Sequence, residues 1–153
     1  MRVFALVLTM AAIASSGSAV AQAPPTSKAS EATAAEELAR VQGKWVRTIE
    51  TENGTFKAVK EHKGNKTTVT FLDPEDNVVA AKRSEFRLEK TDKVRIFTFF
   101  NNVITAGPQK GQTDESQTSY IYRITGDTFF EVNGLLIGDD SDPVAFSWER
   151  VKG

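Results

Sequence analysis

The 153-residue chain contains no cysteine. That excludes disulfides, thiolate metal sites and a lipid-modified cysteine behind a leader. A domain without such staples depends on its core alone. Histidine occurs once, as His62, in "KEHKGN". Set between charges and beside a turn, it is expected to be a solvated loop residue. With no cysteine, this lone histidine supports neither a nucleophilic triad nor a zinc site. There is no glycine-rich phosphate loop, no convergent catalytic set and no excess of positive charge. The chain holds 19 basic and 20 acidic residues. Nucleic acid and anionic membrane surfaces are therefore not expected partners. No enzyme activity, cofactor or metal is expected either.

One long apolar run is present, "VFALVLTMAAI" from Val3 to Ile13. It follows Arg2 and precedes "SAVAQA", where Ala19-Val20-Ala21 and Ala21-Gln22-Ala23 are both small-x-small sites. This is the layout of a secretory signal peptide, cleaved after Ala21 or Ala23. The run is shorter than the roughly 20 residues of a membrane-spanning helix, so no membrane insertion is expected after cleavage. The expected location is secreted or periplasmic. Residues 1–23 then form the signal peptide, 24–32 a linker and 33–153 one domain.

The linker contains "PPTSKAS", which cannot bury apolar area. Thr33 and Glu36 then fit a capping box, and Leu38 and Val41 share one helical face. Gly43 suits the left-handed position that ends a helix, so a short helix is expected to stop near Gln42. From Lys44 the apolar period changes to two, the period of strands. "KWVRTIE", "TFKAVKE", "KTTVTFL", "VVAAKRSEFRLE", "VRIFTFFNNVI", "TSYIYRI", "TFFEVN" and "VAFSWERV" are eight candidate strands. Turn signals separate them: Asn53-Gly54, "HKGN", "DPEDN", "KTDK" and Gly126-Asp127. No helical segment lies between strands, so neighbours should be antiparallel. An eight-stranded up-and-down barrel suits this order and removes exposed edges. A sandwich is the alternative.

Gly43-Lys44-Trp45, at the start of the first strand behind a short helix, resembles the lipocalin signature. That resemblance implies a helix plugging one barrel end, Trp45 packed inside that end, and Arg150 of "FSWERVKG" over the indole. A guanidinium on an indole face gains a cation–π contact and can donate hydrogen bonds to carbonyls of the plug. More of the chain is similar to a bacterial family of small secreted lipocalin-like domains, abundant in planctomycetes. "ELARVQGKW" resembles its Leu-x-x-Leu-Gln-Gly-Thr-Trp opening, and "AGPQKGQT" its Gly-Pro-x-x-Gly-x-Thr loop. "YIYRITGDTFFEV" resembles its penultimate hairpin and "WERVKG" its closing strand. Lys44 replaces the usual threonine, and Val41 a leucine. The middle of the chain, Thr51 to Lys93, matches by strand pattern alone. The family has no established activity, so the resemblance implies a fold and no mechanism.

Parity on the edge strands nominates interior residues. Trp45 selects Arg47 and Ile49; Arg150 selects Phe146 and Trp148. A charged Arg47 inside a barrel needs a partner or a ligand anion. Connections alternate ends, so "ENGT", "DPEDN", the Gly107-Pro108 loop and "GLLIGDDSDP" share the rim opposite the helix. Leu135, Leu136 and Ile137 are three consecutive apolar residues on that rim and are expected to cover an opening. Asp73, Glu75 and Asn77, like Asp139, Asp140 and Asp142, alternate oxygen ligands as calcium loops do. Neither set has the glycine and bidentate glutamate such a loop needs, and turn formation explains both.

The expected function is binding of a small, mostly apolar molecule through Arg47, Leu135, Leu136, Ile137, Phe146 and Trp148. The alternative is an envelope structural or protein-interaction domain with a filled barrel. A cavity above about 300 Å³ lined by aromatic rings distinguishes the first from the second.

Overall fold

The computed structural model describes residues 33–136, 138–139 and 141–152. The expected signal peptide and linker, and Ile137 on the rim, lie outside the described residues. α1 (Ala34–Val41) opens with the capping box: Glu36 N donates to Thr33 Oγ1, and Thr33 N donates to Glu36 Oε2. Two of the free amides at the helix start are thereby satisfied. The chain leaves the helix at Gly43, whose φ of +101° places it in the region that favours glycine.

Nine strands follow: β1 (Gly43–Thr51), β2 (Gly54–Lys63), β3 (Lys66–Leu72), β4 (Val78–Thr91), β5 (Val94–Ala106), β6 (Thr113–Asp114), β7 (Thr118–Thr125), β8 (Thr128–Asn133) and β9 (Val144–Arg150). All pairings are antiparallel. Eight strands close a barrel in the order β1-β2-β3-β4-β5-β7-β8-β9, with β9 back on β1 through Trp45–Arg150 and Val46–Glu149. β6 stands outside the ring and pairs only with β5. It arises because the long loop after β5 folds back on that strand. Buried Asn102 holds it there, donating from Nδ2 to the carbonyls of Asp114 and Ser116 and accepting from Ser84 Oγ.

Two turns differ from the pattern read in the sequence. The β1–β2 turn is centred on Glu52-Asn53, and Gly54 already pairs with Thr51. Gly54 is needed for space: a Cβ there would stand 2.9 Å from the Pro74 ring. The β2–β3 turn is tighter than "HKGN" suggested. It consists of Gly64 and Asn65, so β2 runs on through His62 to Lys63. His62 is therefore no solvated loop residue. It shares the inward parity of Ala58 and Lys60 and is 2 % exposed. "DPEDN" is a turn held by Asp73, whose carboxylate accepts from the backbone of Glu75 and Asn77.

The interior has two halves. Toward the helix aromatic rings pack together: Trp45 meets Phe129 edge-on at 5.3 Å, and Phe86 stacks on Phe97 at 4.4 Å. His62 sits among Phe86, Phe97 and Phe129, with centroids 5.1, 5.1 and 5.9 Å away. Neither of its ring nitrogens has a hydrogen-bond partner. Burial holds its basicity far below the usual imidazole range, down to about 3, and the nearby Lys60 charge adds to this. The half away from the helix is hollow.

Candidate functional site

The closed end is tied together by hydrogen bonds and one cation–π contact. Trp45 is fully buried, and its indole N–H donates to the Val41 carbonyl at 2.9 Å. The Arg150 guanidinium lies 3.9 Å from the indole centroid. It donates to the carbonyls of Gln42 at 2.8 Å and Arg40 at 3.0 Å, which the helix leaves free. Gly43 makes room for it, since a Cβ there would stand 3.3 Å from Arg150 Nη1. Gln42 adds a two-way bond to Gly64. The three signature residues therefore act together as one lock.

Beyond this floor is a cavity of about 250 Å³. Its walls include Phe71, Phe99, Tyr120, Phe146 and Trp148, together with Arg47, Lys60, Lys82 and Glu131. The volume is below the roughly 300 Å³ typical of small-molecule sites. It suits a ligand of about one ring and a short chain. The lining is also more polar than a purely apolar ligand requires.

The charges are held by strand parity. Arg47 on β1 points inward beside Phe146 and Trp148 of β9, its guanidinium 4.4 and 5.0 Å from their ring centroids. Lys60 on β2 and Glu131 on β8, each almost fully buried, form an ion pair across the interior. Glu131 Oε1 also accepts the Trp148 indole N–H at 3.0 Å. Lys60 lies 4.1 Å from the Trp148 ring centroid and 4.9 Å from that of Phe129. Burial pulls the Lys60 ammonium below its ordinary range, opposed by Glu131 and reinforced by the charge of Arg47. Burial likewise lowers Arg47, opposed by Glu131. Arg47 stays a cation, since a guanidinium starts so high. Two polar atoms of this cluster are buried without a hydrogen-bond partner: Arg47 Nε and Glu131 Oε2.

Of the residues nominated from sequence, Arg47, Phe146 and Trp148 meet on this wall. Leu135 and Leu136 do not line the cavity; Leu135 is 54 % exposed and Leu136 half-buried. Three of the four connections expected at the far rim, the first, third and fifth, lie side by side. Lys57 pairs with Asp76 at 2.7 Å, and Gly54 abuts Pro74, joining the first and third connections. The Gly107 loop runs beside the start of β4, where a Cβ on Gly107 would stand 2.8 Å from the Val79 carbonyl oxygen.

Sequence reading missed Lys60, Glu131 and Tyr120. Parity with Ala58 was the available signal for Lys60; Glu131 follows two adjacent phenylalanines, which leave its parity open in the sequence.

A second hollow of about 350 Å³ lies beside the helix, among Leu38, Phe86, Leu88, Arg95 and Tyr122. Its buried carboxylate is already matched. Glu37 accepts from Arg95 at 3.0 Å and from the Tyr122 hydroxyl at 3.4 Å. The Tyr122 hydroxyl is pushed up by burial and by Glu37.

Among the described residues no group of three or more acidic or histidine side chains converges as a metal site requires, and no helix is long and apolar enough to cross a membrane. No family model, curated protein or solved structure matches the chain.

Proposed function

We propose that this is an exported lipocalin-like binding module, not an enzyme, whose open-end cavity takes one small molecule with an apolar body. The observation that carries the reading is an arginine guanidinium set on the aromatic wall of a cavity, its Nε without a partner. The barrel keeps a cavity of about 250 Å³ walled by Phe99, Tyr120, Phe146 and Trp148, with Arg47 set among them. Cores normally pack without voids larger than a water, so a hollow of this size is a feature to be explained. The leader-like pattern around Arg2 and Ala19–Ala23 supports export. His62, shut among phenyl rings and off the cavity wall, supports a non-catalytic role.

Trp148 is a built-in reporter. Titration with phenylbutanol and phenylbutanoate should change its fluorescence and shift amide NMR signals of Arg47, Phe99, Tyr120 and Phe146. Absence of binding by both probes, or shifts confined to the helix end, would refute the reading. The rival, an interaction domain acting through its loops, draws on exposed Val78, Leu135 and Val144. It gains if neither probe binds and Leu135→Asp alters association with other proteins.

A further inference from the structure

The cavity has an imbalance of charge as well as space. Arg47 and Lys60 are two interior cations, and among the described residues Glu131 is the only acidic one in the cavity lining. Glu131 is committed at Oε1, where it accepts from both Lys60 and Trp148. The Lys60–Glu131 pair is neutral as a unit, which leaves the positive charge of Arg47 over. Lys82 on the same wall is exposed and has Asp114 near it, so the solvent side does not reverse the balance.

Arg47 does not look like a structural arginine. Its Nε is buried with no partner, whereas a buried donor ordinarily finds one. Aromatic faces at 4.4 and 5.0 Å stabilise its charge but accept no conventional hydrogen bond. They also hold the guanidinium carbon against the cavity wall. A planar fork fixed in this way matches a carboxylate better than any neutral group.

We propose that the ligand is a small organic monoanion, in the main a carboxylate on an aryl or short alkyl body, with its head group on Arg47 and its apolar body against Phe99, Tyr120 and Phe146. This rests on the binding reading above and specifies its ligand class. One negative charge neutralises the excess; a second would meet Glu131, whose Oε2 has no donor to offset it. The alternative head groups fail on the same geometry. An ammonium faces Arg47 and Lys60, and a neutral alcohol leaves the guanidinium charge unanswered.

The test is a matched series on the full domain: phenylbutanoate, phenylbutanol and phenylbutylamine, titrated calorimetrically and by Trp148 fluorescence. The carboxylate should bind roughly tenfold tighter than the alcohol, the worth of a charged hydrogen bond, and the amine weakest. In Arg47→Gln the carboxylate and alcohol should bind alike. Equal affinity of carboxylate and alcohol for the unaltered protein overturns the monoanion and leaves the cavity reading standing. A preference that survives Arg47→Gln overturns the role of Arg47. Binding of none of the three overturns both. The head-group comparison on the unaltered protein decides the matter even if the variant does not fold.

Discussion

At the closed end of the barrel Arg150 lies 3.9 Å from the Trp45 ring centroid and donates to two backbone carbonyls. At the open end Arg47 lies 4.4 Å from the Phe146 ring and 5.0 Å from that of Trp148, and its Nε donates to nothing. The two arginines have similar aromatic company and opposite hydrogen-bond status. The first ties the helix to the first and last strands, and its removal strips a lock. The second is held in place without being used, and its desolvation opposes folding. A barrel can carry that cost when the opposed end supplies the stability. The cavity walled by aromatic rings lies on the Arg47 side.

The largest expected effect comes from breaking the closed end. Trp45→Ala should lower stability by about 3–5 kcal/mol, since a fully buried indole leaves a cavity that neighbours fill only partly. Chemical denaturation would measure it. A change under about 1 kcal/mol would mean the end is not a core at all.

Next in size is the ion pair that crosses the interior. Glu131→Leu alone should cost about 3 kcal/mol, because it strands the Lys60 ammonium in an apolar setting. Lys60→Met combined with Glu131→Leu should recover most of that loss. Failure of the double variant to recover would show that the two side chains are held for reasons other than each other.

The arginine pair gives the sharpest contrast at moderate size. Arg150→Met should cost about 2 kcal/mol through two lost hydrogen bonds and a cation–π contact. Arg47→Met should be neutral or stabilising, within about 0.5 kcal/mol of the parent or above it, because it removes an unpartnered donor and a desolvated charge. Equal losses would erase the distinction between the two ends.

His62 has the smallest effect at neutral pH. Its folded basicity is lowered to about 3, so the unfolded chain takes up a proton first as acid is added. The sign follows: the stability it confers is present above about pH 6.5 and is lost as pH falls toward 3, at roughly 1.4 kcal/mol per pH unit. His62→Leu should flatten that part of the acid profile and cost little at pH 7, because the ring nitrogens it removes are unpartnered. An unchanged acid profile would show that other groups dominate.

The closed end was legible from sequence because its parts are local or terminal. Gly43, Trp45 and the helix adjoin in the chain, and Arg150 shares parity with Phe146 and Trp148. The inward direction of Arg47 followed from its spacing to Trp45. The pairing of Lys60 with Glu131 was not legible, since the two stand 71 positions apart and no local pattern signals a partner across the interior. In "TFFEVN" the adjacent phenylalanines leave parity ambiguous; only the register Phe129–Trp148 decides that Phe129 and Glu131 face in and Phe130 out. His62 was misread as a loop residue because the turn was drawn over four residues instead of two. The fold-back of β6 depends on Asn102, a side chain that no strand pattern singles out.

The most direct test of the account is thermal unfolding of the parent and of Arg47→Met, each with and without phenylbutanoate. Without the probe the variant should melt at or above the parent. With it the parent's Tm should rise, by mass action on the folded state, and the variant's should not. If Arg47→Met melts well below the parent without the probe, as Arg150→Met is expected to, Arg47 is a structural member and the open end is not a ligand site built around it.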